Sequence, residues 1–155
     1  MIKPRTLLLS IAAACIALLA VAMVLQHGMD MLPCPLCVIQ RYLFLAIAIA
    51  ALAGVAARQQ KWGAGLGLLC ALSGLGVAGR HVYILAHPGL SCGIDPLETS
   101  LNKVFTAHYM PFMFKADGLC EDALATVFGL SVPQWSILCF ALLSVALVWL
   151  LARRK

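Results

Sequence analysis

The sequence predicts an all-α membrane protein, a four-transmembrane-helix bundle with a long outward loop that contains a short interfacial helix. Of its 155 residues, 63% are hydrophobic and 11% are charged, an apolar share well above that of ordinary soluble domains. Four apolar runs each approach the roughly 17 to 25 residues that span a bilayer. They cover about residues 7–25, 38–57, 64–85 and 135–151. Because hydrocarbon offers the backbone no hydrogen-bond partners, these runs are expected to be helical.

The distribution of charge supports the same four spans. Seven basic residues lie at the two ends or in the loop after the second run: Lys3, Arg5, Arg58, Lys61, Arg153, Arg154 and Lys155. All six acidic residues lie in the two remaining loops, about residues 26–37 and 86–134: Asp30, Asp95, Glu98, Asp117, Glu121 and Asp122. By the positive-inside rule, both termini are expected in the cytoplasm and both acidic loops outside. Residues 1–155 are therefore expected to form a single integral membrane domain.

Charge and run length also narrow the function classes. The net charge of +5 follows from this topology, so it does not indicate nucleic-acid binding. No Asp or Glu lies inside a span, which argues against ion or proton-coupled transport. The first run follows Lys3 and Arg5 as in a signal peptide, but its nineteen residues exceed the usual apolar core of about 7 to 15. An uncleaved first span is expected.

The third run carries small residues that permit close helix approach. They are Gly63, Gly65, Gly67, Gly74, Gly76 and Gly79. The run closes with Arg80, His81 and Tyr83, residue types that commonly anchor a helix at the membrane interface. The alternative is that Arg80 or His81 lines a binding site at the outer face.

The seven cysteines fall into two groups. Cys15, Cys70 and Cys139 lie inside apolar runs, where cysteine is usually a small apolar side chain, and we assign them no role. Cys34, Cys37, Cys92 and Cys120 lie in the outward loops. An even set of cysteines in an oxidising compartment is typical of disulfide chemistry.

The Cys34-Pro35-Leu36-Cys37 stretch sets two thiols at the edge of the second span. Pro35 suits the first turn of a helix, so the helix is expected to begin here, where its free N–H groups favour a thiolate. Arg41 follows Cys37 by four residues and so shares its helix face. It can stabilise that thiolate or polarise an oxygen of a bound acceptor. The alternative is that Arg41 extends to the lipid head groups.

The outward loop at about 86–134 has a helical pattern in its middle. Leu101, Val104, Phe105, Tyr109 and Phe112 recur on one face, which predicts a short helix lying on the membrane surface and ending at Pro111. Cys92 and Cys120 would flank it at mobile ends.

Two outward thiol pairs, one fixed and one on a loop, suggest a relay by thiol–disulfide exchange. Its output would be a lipid-soluble two-electron acceptor such as a quinone, and its input a soluble dithiol protein. The alternative is a membrane metal-binding or scaffold protein that uses the same cysteines. His27 could join Cys34 and Cys37 as a ligand, but a lone loop histidine is more often solvated, and we predict no metal site.

The sequence resembles the bacterial DsbB family of membrane thiol oxidases over nearly its whole length. The resemblance is carried by Cys34-Pro35-Leu36-Cys37 with Gln40-Arg41 after it, by Cys92 and Cys120, by the four spans, and by Pro133-Gln134-Trp135. It implies a protein of the bacterial inner membrane whose active cysteines face the periplasm.

The resemblance also implies an order of reaction. Cys92 would exchange with a DsbA-like periplasmic thiol oxidoreductase, and Cys120 with Cys34. Cys37 would face ubiquinone or menaquinone beside Arg41, and His81 or His87 would correspond to the family's histidine near the quinone ring.

Overall fold

A computed structural model of the protein describes residues 3–28, 32–87, 100–116, 118, 126–127 and 129–152. In chain order its elements are α1 (Pro4–Gly28), α2 (Pro35–Ala56), α3 (Gln60–Ala86), α4 (Phe105–Tyr109), α5 (Pro111–Phe114), β1 (Thr126–Val127), β2 (Leu130–Ser131) and α6 (Val132–Ala152). Helices α1, α2, α3 and α6 are each long and apolar enough to cross a membrane. The predicted all-α architecture with four membrane helices is confirmed, and the protein is a multi-pass membrane protein.

The bundle core lies where α2 and α3 pack between α1 and α6. Phe44 of α2 stacks on Phe140 of α6, with ring centroids 4.1 Å apart and planes 6° from parallel. Gly74 of α3 faces this stack, and a Cβ there would overlap the Phe140 ring. Gly63 approaches Gly54 of α2 closely enough that a Cβ on either would meet the other's backbone. Close helix approach is therefore confirmed at these two positions.

The other predicted glycine contacts are not all present. A Cβ at any of Gly65, Gly76 and Gly79 would meet no atom within 4 Å, so these residues face away from the packed surfaces. The sequence predicts that all six glycines permit close helix approach, but only one side of α3 lies against its neighbours.

The outer segment, which we define as residues 100–116 and 118, is helical but discontinuous. Residues 100–102 are helical, α4 and α5 follow, and Met110 between them is non-helical with φ −129° and ψ 60°. Pro111 explains this break, because it disfavours the helical conformation of the preceding residue and then suits the first turn of α5. The single continuous helix expected from the pattern is thus divided into short pieces.

A small hairpin before α6 was not predicted. Strands β1 and β2 pair antiparallel, and Gly129 in their turn has φ +83°, a conformation that glycine adopts without strain. The Trp135 indole N–H donates to the Val127 carbonyl at 2.8 Å, and the Ser131 N–H donates to Gln134 Oε1 at 2.9 Å. Gln134 and Trp135 therefore hold the hairpin on the start of α6.

Candidate active site

The two thiols of Cys34 and Cys37 lie at the N-terminus of α2. Cys34 is the N-cap in an extended conformation, Pro35 opens the helix, and the Cys37 N–H donates to Cys34 Sγ at 3.2 Å. The sulfur thus satisfies one of the free N–H groups of the first turn. The helix begins at Pro35, as predicted.

The two sulfurs are close enough to react with each other. Their Sγ atoms are 2.6 Å apart and hydrogen-bonded, and both cysteines are free thiols here. Cys34 is buried and Cys37 is half-buried. The side-chain hydrogen bond with Cys37 and burial raise the pKa of the Cys34 thiol. A short movement of the two side chains suffices to form a disulfide.

Helix α3 brings one histidine to this dithiol. His81 is completely buried, with Nε2 3.7 Å from Cys34 Sγ. Its ligating nitrogen and the two sulfurs all lie within 4.8 Å of one another. Arg80 and His87 are exposed, and the His87 ring nitrogen Nδ1 lies 2.9 Å from the Tyr83 carbonyl one turn back. Of these three predicted candidates, the structure places only His81 beside the thiols.

Arg41 is buried where three helices meet. It is 7% exposed, and its Nη1 donates to Gln26 Oε1 of α1 at 2.7 Å and to the Met113 carbonyl of α5 at 2.8 Å. Gln26 Nε2 donates in turn to the Phe112 carbonyl at 3.0 Å. The guanidinium is therefore enclosed by protein and joins α1, α2 and α5. Sequence reasoning missed Gln26, whose only signal is a polar side chain at the end of an apolar run.

A cavity of about 520 Å³ opens beside Cys37 and Arg41, within the size range of small-molecule sites. Its walls are mainly apolar side chains of α1, α2 and α6, with Gln26, Gln40 and Arg41 among the polar lining residues. Gln40 is 5% exposed, and its Nε2 has no hydrogen-bond partner among the described residues. Sequence reasoning gave Gln40 no role, although it follows Cys37 by three residues and so shares its helix face. The cavity suits an apolar ligand with a polar end.

Hydrogen bonds hold the outer segment together and attach its end beside this site. Asn102 donates to the Ala116 carbonyl at 3.0 Å and accepts from the Ala116 N–H at 2.9 Å. The Gly118 N–H donates to the Pro33 carbonyl at 3.2 Å. In sequence, Gly118 precedes Cys120 by two residues and Pro33 directly precedes Cys34. Cys92 and Cys120, the predicted loop pair, lie outside the described residues.

Comparison with known proteins identifies the family. The sequence model described as "Disulfide bond formation protein DsbB" matches residues 4–150. The chain belongs to the DsbB family. Disulfide bond formation protein B of Herminiimonas arsenicoxydans is 51% identical over 154 residues, covering 97% of each chain. Its namesake in Ralstonia nicotianae is 41% identical over 152 residues, covering 97% of this chain and 96% of its own.

Membership in the DsbB family agrees with the geometry of the site. The family is named for disulfide bond formation, and this DsbB-family chain carries a partly buried dithiol at the end of a membrane helix. A general role in thiol oxidation and disulfide formation follows. "Disulfide bond formation protein B 2" of Burkholderia lata, 43% identical over 146 residues that cover 94% of this chain and 87% of its own, is a further relative.

Proposed function

We propose that the protein is a protein-dithiol:quinone oxidoreductase of the bacterial inner membrane. It re-oxidises a DsbA-like periplasmic dithiol protein and passes the electron pair to ubiquinone or menaquinone. The observation that carries this proposal is the placement of Cys37 on the wall of an apolar cavity, with its sulfur 2.6 Å from that of Cys34. With both termini in the cytoplasm, as the basic residues indicate, the thiols face the periplasm.

The cavity suits a quinone in volume and polarity. Its apolar walls suit the ring and isoprenoid tail, and Gln40 and Arg41 offer N–H donors at the polar end. When bound, the quinone accepts two electrons and two protons and becomes a quinol. Cys34 and Cys37 lose the same two electrons and two protons as their disulfide forms. Arg41 favours negative charge on Cys37 and on the acceptor oxygen, and His81 lies beside Cys34 as a positioning and proton-handling group.

Arg80 and His87 are weaker candidates for acceptor binding than Arg41. Both are exposed, and neither is among the residues that line the cavity. We therefore retain Arg41 and add Gln40 for acceptor binding, keep His81 as the group beside Cys34, and treat Arg80 and His87 as interface residues.

The partner step uses the loop pair. Cys92 takes part in exchange with the partner protein, and Cys120 exchanges with Cys34, as the family resemblance implies. The Gly118–Pro33 hydrogen bond supports this pairing. Gly118 lies two residues before Cys120, and Pro33 lies directly before Cys34, so the bond holds the chain near Cys120 beside Cys34.

Purified protein in lipid or detergent, supplied with a reduced DsbA-like protein, tests the proposal. We expect one quinol to form for each partner disulfide, and no quinol to form with Cys37→Ser. Partner oxidation that continues at the same rate without quinone would refute the acceptor assignment. A membrane metal-binding or scaffold protein, the alternative function, would oxidise no partner under either condition.

A further inference from the structure

We propose that the reduced site also binds one Zn²⁺ ion, through Cys34 Sγ, Cys37 Sγ and His81 Nε2, and that the ion holds the dithiol in its reduced state. Sequence spacing offered no such site, because His81 lies forty-seven residues beyond Cys34 and on a different helix.

The distance between Cys34 and His81 matches that of a zinc site, and the distance between the two sulfurs comes to match it after a small movement. Zn–S bonds of about 2.3 Å and Zn–N bonds of about 2.0 to 2.1 Å in tetrahedral geometry imply an S···N separation of about 3.6 Å and an S···S separation of about 3.8 Å. Cys34 Sγ and His81 Nε2 are 3.7 Å apart. The two sulfurs, 2.6 Å apart, need to separate by about 1 Å, which a side-chain rotation of the half-buried Cys37 provides.

Ligand chemistry and access also suit this ion. Two thiolates and an imidazole are typical zinc ligands, and two thiolates neutralise its double charge. Cys37 lines the cavity, so the ion has an entry path and room for a water molecule as fourth ligand. His27 cannot serve as the nitrogen ligand in this arrangement, since it is exposed and its Nδ1 lies 3.0 Å from the Met23 carbonyl of its own helix.

Binding and oxidation exclude each other at this site. Metal binding releases the two thiol protons and leaves both sulfurs as reduced thiolates, whereas disulfide formation removes two electrons and leaves two neutral sulfurs without the thiolate charge that binds the ion. Zn²⁺ at this site is therefore expected to inhibit the oxidase reversibly. The inhibition rests on the proposed function, but the binding does not.

The experiment uses the full chain with Cys92→Ser and Cys120→Ser, so that the loop pair supplies no ligand. The reduced protein is titrated with Cd²⁺, which gives an ultraviolet thiolate charge-transfer band, and Zn²⁺ is then added as competitor. We expect one Cd²⁺ per chain, displacement by Zn²⁺, and no band once Cys34 and Cys37 are joined in a disulfide. Absence of the band in the reduced protein, or its persistence after oxidation, would overturn the proposal.

Ligand identity is tested in the same background. His81→Ala is expected to weaken Cd²⁺ binding about 100-fold, at least as much as loss of an outer-shell partner, while His27→Ala and Cys70→Ser leave it unchanged. Should His81→Ala fold poorly, Zn²⁺ protection of Cys34 and Cys37 from alkylation in the His81-containing protein reports binding directly. Unprotected thiols, or equal weakening by His27→Ala, would refute the site. Quinone-dependent turnover of the wild-type protein, measured with and without a chelator, separates failure of this proposal from failure of the oxidase function.

Discussion

The dithiol site and the outer segment differ in how the fold holds them. Cys34 and His81 are 1% and 0% exposed, and they are fixed by two membrane helices that pack along their length. Phe105 and Tyr109 in the outer segment are 69% and 67% exposed. That segment consists of short helical pieces. They are joined to the bundle by hydrogen bonds to Gln26 and Arg41 and by the ring of Phe114, which stacks on Tyr42.

This difference matches two different chemical requirements. Electron transfer to a bound acceptor needs a fixed distance and a shielded cation, which long packed helices supply. In the proposed relay, exchange with a protein partner needs a thiol that can meet first the partner and then Cys34. We infer that substitutions in the two regions affect different steps.

The largest expected effect is at the active cysteines. Serine at any one of Cys34, Cys37, Cys92 and Cys120 is expected to abolish turnover, because each removes one sulfur from the relay. Cys15→Ser and Cys70→Ser are the controls, since these cysteines lie within the membrane helices α1 and α3. Steady-state oxidation of reduced partner measures both sets. Full activity in Cys92→Ser or Cys120→Ser would contradict the relay.

Trapping of the partner distinguishes the two loop cysteines. Cys120→Ser lacks the resolving thiol, so a mixed disulfide between Cys92 and the partner is expected to accumulate on non-reducing gels. Cys92→Ser is expected to trap much less. Equal trapping by both variants, or trapping through Cys34, would show that the proposed order of exchange is wrong.

Local sequence signals were sufficient for the spans and for the start of α2. Apolar runs of membrane length and a proline after Cys34 act within a few residues, and the structure agrees with both. The choice between His81 and His87 required knowing which face of α3 packs on α2. No periodic signal in a glycine-rich helix provides that information.

The sequence also did not predict the hydrogen bonds between residues that are distant along the chain. The bond of Arg41 to Met113 joins residues seventy-two positions apart, and Asn102 reaches Ala116 across a segment whose apolar pattern suggested one helix. Charge and spacing predicted that Arg41 would lie near Cys37. They did not predict that its guanidinium would also hold α5.

A smaller effect is expected at Arg41. Arg41→Ala should lower kcat/KM for quinone by about 10- to 100-fold, equivalent to roughly 1.4 to 2.8 kcal/mol, because one charged donor is lost from the cavity. Arg41→Lys keeps the charge but lacks the planar donor fork of arginine, so its kcat/KM for quinone should lie between those of the wild type and Arg41→Ala. Turnover against quinone concentration measures this, with thermal stability followed in parallel because Arg41 also binds Gln26.

Comparison of Arg41→Ala with Arg80→Ala distinguishes two locations for the acceptor site, the cavity beside Arg41 and the exposed end of α3. If Arg41→Ala slows partner oxidation at saturating quinone but leaves the quinone dependence unchanged, Arg41 has a structural role only. A larger change in quinone dependence with Arg80→Ala than with Arg41→Ala would move the acceptor site to the exposed end of α3.

The smallest expected effect is at Asn102, and it is confined to the outer segment. Asn102→Ala removes both hydrogen bonds to Ala116, which is expected to cost roughly 1 to 2 kcal/mol of local stability and to slow exchange between the loop pair and Cys34 a few-fold. Direct oxidation of the reduced Cys34–Cys37 pair by quinone should keep its rate, because Asn102 does not line the cavity. Lys103→Ala, at an exposed neighbouring position, is the matched control and should change neither rate. A single-turnover experiment measures separately the rate of exchange with Cys34 and the rate of oxidation by quinone. Equal slowing of both steps by Asn102→Ala would show that the outer segment and the dithiol site act as one unit.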